Sequence, residues 1–157
     1  MIKLLTYNQI DPQQWQALVD RSPYATWFQT PEAYEFYAAV STELLPFALG
    51  IEEDGHLVGV IVGYTTQEKN PIKQFLTCRS IIIGGPLLAN CISETALTEL
   101  LKAVAQCPAS SLSPFASRLT NPIYIETRNF HDYSRWKEVF KRAGFNYQKH
   151  LDYHINT

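Results

Sequence analysis

Apolar and polar positions along the chain change period several times, and each change marks an element. Ile2, Leu4 and Leu5 in a run ending at Tyr7 predict a strand over 2–7. Asp11-Pro12-Gln13-Gln14 is a helix start, with Asp11 as cap, Pro12 at the first helical position and Gln14 placed for a capping-box partner. Trp15, Leu18 and Val19 then form one apolar stripe, which Ser22-Pro23 ends. Thr30-Pro31-Glu32 opens a second helix through Val40, apolar nearly all round and therefore expected to be well covered. Strands are predicted around Phe47–Ile51 and Leu57–Tyr64, joined by a turn at Glu53-Asp54-Gly55. Another is predicted from Phe75 to Ile83, ending in Gly84-Gly85-Pro86. A helix follows from about Ser93 to Gln106, with Ala96, Leu97, Leu100, Leu101 and Val104 on one face. The stretch 108–114 reads as a loop and 122–128 as a strand. Asp132 starts a helix that Gly144 ends, and a strand over 147–156 is expected last. The order β-α-α-β-β-β-α-β-α-β predicts helices flanking a mixed, mostly antiparallel sheet, an α/β (α+β) architecture. Neither repeats nor an internal boundary divide the 157 residues, which are expected to form a single domain.

Composition narrows the class. A hydrophobic content of 46% with 13% aromatic residues excludes a disordered chain. The net charge of −2 excludes a strongly basic coat for nucleic acid. The charge is uneven, at −7 over residues 1–68 and +5 over 69–157. A polyanionic partner would meet the second part, although a soluble protein with an uneven surface shows the same bias. The chain has no apolar run long enough to span a bilayer, and its N-terminus lacks the apolar core of a signal peptide. Three cysteines without paired spacing fit a reducing cytoplasm.

Cys-x-x-Cys, His-Glu-x-x-His, Gly-x-Ser-x-Gly and Gly-x-x-x-x-Gly-Lys are all missing, which leaves zinc chemistry, a hydrolase elbow and a nucleoside triphosphatase without support. His150, Asp152 and His154 would share one strand face, as metal ligands or as an ordinary polar face. Gly84-Gly85-Pro86 offers amides to an anion, or simply a turn that needs positive φ. Arg128 and Arg79 are suited to a carboxylate or phosphate, or to a plain ion pair such as Arg128 with Glu126. Trp15, Trp27, Trp136, Tyr34, Phe36 and Tyr37 would stack on a sugar or base, or fill the core.

Several stretches, in this order, resemble the N-terminal part of the Fem family, the FemA/FemB-type aminoacyltransferases that build peptidoglycan cross-bridges. They are Ser22-Pro23-Tyr24-Ala25-Thr26-Trp27-Phe28-Gln29-Thr30-Pro31-Glu32, Asp54-Gly55-His56-Leu57-Val58-Gly59-Val60, Ile83-Gly84-Gly85-Pro86-Leu87, Ile123-Tyr124-Ile125-Glu126-Thr127-Arg128-Asn129, Phe140-Lys141-Arg142-Ala143-Gly144-Phe145 and His150-Leu151-Asp152-Tyr153-His154-Ile155. The element order also resembles the GNAT-like acyl-CoA N-acyltransferase fold. The resemblance implies transfer of an amino acid from aminoacyl-tRNA, a co-substrate, to the peptide stem of a peptidoglycan precursor. It implies no cofactor and no metal. Family members carry two GNAT-like halves, and this chain resembles the first, so the tRNA is expected to lean on a second domain. By charge and position, Arg79 and Arg128 would pair with the precursor's carboxylates or pyrophosphate, and the Gly84 and Gly85 amides would line a V-shaped cleft in the sheet. No catalytic residue is assigned. The alternatives are a stand-alone acetyltransferase using acetyl-CoA and a non-catalytic domain that self-associates through the strand over 147–156. The Arg/Gln-x-x-Gly-x-Gly/Ala pyrophosphate loop is missing, and Pro86 has no amide to offer, which argues against acetyl-CoA.

Overall fold

The computed structural model describes residues 1–68, 70, 72, 76–106 and 122–148. In chain order the elements are β1 (Ile2–Thr6), α1 (Pro12–Arg21), α2 (Pro31–Val40), β2 (Leu44–Glu53), β3 (His56–Thr66) and β4 (Arg79–Gly84). A two-residue β5 (Leu87–Leu88), α3 (Glu94–Gln106), β6 (Tyr124–Asn129) and α4 (Lys137–Arg142) complete them. The sheet order is β1-β2-β3-β4-β6, with β5 also on β3. Every pairing is antiparallel except β4 with β6, where the connection carries α3.

Alternation along β2 and β3 sorts the core into two layers. Phe47, Leu49, Ile51 and Ile61 pack with Leu97, Leu100 and Val104 of α3 and with Val139 and Phe140 of α4. Ala48, Val60 and Val62, on the opposite face, pack with Trp15 and Leu18 of α1 and Ala33, Tyr34 and Tyr37 of α2. The β2–β3 turn uses Asp54 at φ 51° and Gly55 at φ 83°, the left-handed pair a two-residue hairpin needs. The Asp54 carboxylate pairs with the N-terminal ammonium of Met1.

Local chemistry explains most boundaries. Asp11 Oδ1 accepts from Gln13 N at 2.9 Å, and Thr30 Oγ1 accepts from Ala33 N at 3.2 Å. Gln14 does not complete a capping box, because its Oε1 accepts instead from Leu57 N at 2.9 Å, beside the bulge at Val58 in β3. Asp132 Oδ1 accepts from Ser134 N at 2.7 Å and opens a 3₁₀ turn, Ser134–Trp136, that runs into α4. Gly144 closes α4 at φ 94°, with Phe145 N donating to Phe140 O at 2.9 Å and Gly144 N to Lys141 O at 3.0 Å. The Phe140 and Phe145 rings meet edge to face across that cap.

Three expectations are corrected. α2 is not covered all round: it buries Ala33, Tyr34 and Tyr37 but leaves Phe36 and Val40 half exposed, because the sheet touches only one side of it. β4 starts at Arg79 rather than 75, since Leu76 and Thr77 lie in a helical turn. Tyr147 and Gln148 are not in a strand; the rest of the strand expected over 147–156, including His150, Asp152 and His154, lies outside the described residues, as do the loop over 108–114 and Cys107.

Two glycines with similar φ make a test of this packing. An alanine at Gly144 meets nothing within 4 Å, so only the left-handed backbone resists it, at about 1 kcal/mol. At Gly85 (φ 81°) the new Cβ would lie 2.6 Å from Asn129 Oδ1 and 2.9 Å from the Tyr133 hydroxyl, raising the loss to about 2–4 kcal/mol. Urea unfolding midpoints are expected to fall much further for Gly85→Ala than for Gly144→Ala.

Candidate site at the break in β4

β4 parts from β3, and the chain returns to β3 as β5. Ile81 is opposite Tyr64 and Leu87 is opposite Val60, so the five residues 82–86 pass the three residues 61–63 of β3. Gly84 and Gly85, at φ 85° and 81°, make the detour possible. The β4–β6 ladder ends at the same place, with Gly84 opposite Asn129. The peptide groups of this arch fall off the ladder inside a buried region, where an unpaired carbonyl is costly.

Two side chains from distant segments supply the missing donors. Gln29 Nε2 donates to Gly84 O and Gly85 O, both at 2.9 Å. The Tyr133 hydroxyl lies 2.7 Å from Pro86 O and 3.3 Å from Gly84 O. Gln29 is fully buried and sits in a 3₁₀ turn, Trp27–Gln29, where its Oε1 accepts from Thr26 N at 2.7 Å and Thr26 Oγ1 at 3.1 Å. Its own carbonyl accepts from Trp15 Nε1 at 2.9 Å. Tyr133 packs on Tyr24 and Phe140, and burial holds its phenol proton far above the usual range. Asn129 Oδ1 accepts from Thr127 Oγ1 at 2.7 Å, and its amide NH2 has no acceptor among the described residues.

The four residues singled out from sequence do not converge on one spot. Gly84 and Gly85 form the arch, but their carbonyls are engaged by the protein itself. Arg79 is at the other end of β4, exposed, with Nη1 3.1 Å from the Tyr124 hydroxyl. Arg128 lies opposite Ile83, one register position before the arch, and its Nε donates to Glu126 Oε1 at 2.7 Å. The expected ion pair is therefore present. Both arginines share the sheet face of Tyr64, on the α2 side. Among the described residues no three His, Cys, Asp or Glu side chains are grouped to hold a metal. No described helix is long and apolar enough to cross a membrane.

The start of α3, another place for an anion, already holds one. Ser93 N and Ser93 Oγ donate to Glu53 Oε2 and Oε1 at 3.0 and 2.5 Å, and Ser93 Oγ caps Ala96 N at 3.1 Å. Glu94 in the first turn pairs with Arg142 Nη2 at 2.5 Å. The positive end of this helix thus faces the protein's own carboxylates.

Gln29, Asn129, Tyr133 and Glu53 were not singled out from the sequence. Only Gln29 left a readable signal, the Thr26-x-x-Gln29 spacing of a capping box.

Replacing Gln29 by leucine would strand the Gly85 carbonyl and the Thr26 amide and leave Gly84 O with only the 3.3 Å contact to the Tyr133 hydroxyl, for a loss of roughly 2–4 kcal/mol in urea unfolding. Alkaline pH gives a second test. Burial raises Tyr133, Tyr34 and Tyr37, the last two to about 12. Below about pH 10 these phenols are protonated in both folded and unfolded chains and have no effect on stability. Above it the unfolded chain loses protons that the folded chain keeps, so stability falls as pH rises. The melting temperature is expected to drop from pH 10 upward, with part of the tyrosinate absorbance of the nine tyrosines appearing only on unfolding.

No protein-family model and no curated protein sequence matches the chain. Solved structures do. Glucosamine-6-phosphate N-acetyltransferase from Arabidopsis thaliana superposes with a TM-score of 0.60 at 9% identity, covering 99% of both chains. Ribosomal-protein-alanine N-acetyltransferase from Brucella melitensis biovar Abortus 2308 gives 0.53 at 14%, covering 100% of this chain and 98% of that one. An aminoglycoside antibiotic 6'-N-acetyltransferase from Acinetobacter baumannii gives 0.54 at 12%, covering 100% and 99%. At such identities the likeness concerns architecture: the chain has the GNAT N-acetyltransferase fold, a mixed, mostly antiparallel sheet flanked by helices.

Proposed function

We propose that this chain is the acceptor-holding domain of a FemA/FemB-type aminoacyltransferase, acting on the peptide stem of a peptidoglycan precursor with aminoacyl-tRNA as co-substrate. The observation that carries this reading over a CoA-dependent one is the occupied start of α3. A pyrophosphate needs free amides and positive charge, and it would meet Glu53 seated on Ser93 with Glu94 beside it. The reaction has the neutral stem amine attack the ester carbonyl of the aminoacyl-tRNA. A C–N bond forms, the C–O bond breaks, and the amine proton leaves with the ribose oxygen. Such a step gains from a donor aimed at the developing oxyanion, and the Asn129 amide at the end of β6 is suited to that task. Arg128 and Arg79 would steer carboxylates or pyrophosphate of the precursor, with a second domain carrying most of the tRNA.

A stand-alone acetyltransferase is the second reading. It is favoured by solved acetyltransferases that this chain matches over nearly their whole length.

A ligand that binds the folded chain raises its melting temperature, which separates the two. A uridine-diphosphate-linked muramoyl peptide is expected to raise it and to give saturable heat on titration, with acetyl-CoA doing neither. Stabilisation by acetyl-CoA with no response to the muramoyl peptide would reverse the choice.

A further inference from the structure

Beside the arch, on the α2 side of the sheet, aromatic rings form a continuous arc. Phe36 meets Trp27 at a centroid distance of 5.5 Å, Trp27 meets Phe28 at 5.4 Å, and Phe28 meets Phe130 at 5.7 Å, all edge to face. Phe36 also meets Tyr37 at 5.9 Å, and Tyr37 lies tilted on Tyr64 at 4.9 Å. Arg128, on the same sheet face as Tyr64, lies two residues before Phe130. Trp27, Phe36 and Phe130 are 48, 49 and 44% exposed, although clustered rings of this size are normally buried.

Among the described residues, several polar groups of this arc keep hydrogen-bonding capacity that no partner takes up. The Tyr37 hydroxyl is buried and has no hydrogen bond, with the residue 5% exposed. Arg128 is held through Nε by Glu126, and neither terminal NH2 has an acceptor among the described residues. The Trp27 indole N–H likewise has none there. A set of this kind calls for a flat apolar face rich in acceptors, with one negative group.

We propose that this arc binds a pyranose ring bearing a single carboxylate or phosphate, with the ring on Trp27 and the anion on Arg128. The proposal rests on the acceptor reading above and supplies the part of the acceptor that the domain would grip. The C–H face of the sugar covers exposed aromatic surface, and a hydroxyl or acyl oxygen meets the Trp27 indole N–H. The anion takes the two free NH2 groups of Arg128 in a fork, which a preset guanidinium favours. A simple aryl acid would answer the arginine and leave the Trp27 indole N–H unmet.

Trp27 reports directly, because Trp15 and Trp136 are buried. N-acetylmuramic acid and N-acetylglucosamine 1-phosphate, titrated against tryptophan fluorescence and by calorimetry, distinguish the carboxylate from the phosphate. Neutral N-acetylglucosamine and benzoate serve as comparisons. Saturable binding of at least one anionic sugar is expected, at least about tenfold tighter than either comparison. Arg128→Gln should remove that preference for the anion, and Trp27→Ala should abolish the fluorescence change and weaken the calorimetric binding. Both substitutions are on the surface, and unchanged urea midpoints would confirm folding. Absence of binding, equal affinity for the neutral sugar or benzoate, or indifference to both substitutions would overturn the proposal. Sugar binding without any response to the muramoyl peptide would sink the aminoacyl-transfer reading and leave the arc standing. A response to the muramoyl peptide that survives both substitutions would do the reverse.

Discussion

The arch at Gly84–Pro86 is the constraint around which the rest is arranged. A strand that leaves its ladder inside a core must find other partners for its peptide groups, because water is not there to take them. Here three successive carbonyls are answered by one amide and one phenol. The amide, Gln29, lies in the connection between α1 and α2; the phenol, Tyr133, lies between β6 and α4. These segments belong to opposite layers of the molecule, so the detour ties the two cores together at the point where β4 and β6 part. Gln29 is itself fixed by Thr26 and by the Trp15 indole, which makes the clasp rigid rather than incidental.

Much of the layout was legible in the chain because it rests on local chemistry. Asp11-Pro12 and Thr30-Pro31 start helices where they should, Gly144 ends one, and Asp54-Gly55 turns a hairpin. The strand faces follow alternation, as in Phe47, Leu49 and Ile51. What did not show was anything set by partners far apart in sequence. Gly84-Gly85 announced positive φ, but its carbonyls look to residues 55 and 49 positions away. Gln14 has the right spacing for a capping box and serves β3 instead, because Leu57 N would otherwise be stranded beside the bulge. The exposed side of α2 is not legible in the sequence because Phe36 and Val40 are as apolar as Tyr34 and Ala33, and hydrophobicity alone does not say which side meets the sheet.

The fold and its chemistry also separate at α3. A helix start is among the best anion sites a backbone provides, and in this chain Glu53 has taken it from β2. The topology by itself therefore does not fix what this position binds. Glu94 and Arg142 reinforce the arrangement by tying the first turn of α3 to the end of α4.

The turn Trp27–Gln29 holds the last step of the argument. It presents two nitrogen donors two residues apart, one on each side of the chain. Gln29 faces inward and both of its acceptors are carbonyls of the arch. Trp27 faces outward, nearly half exposed, in edge contact with Phe28 and Phe36. A single short turn thus closes the interior and leaves a donor and an apolar surface open on the outside. Across the arch, Tyr133 is similarly saturated while Arg128, at the end of the same strand that leads to it, has no acceptor for its terminal nitrogens among the described residues. The internal donors hold the break in the sheet together, and the donors of Trp27 and Arg128 lie on the α2 side, which is why the proposed recognition falls there rather than in the arch itself.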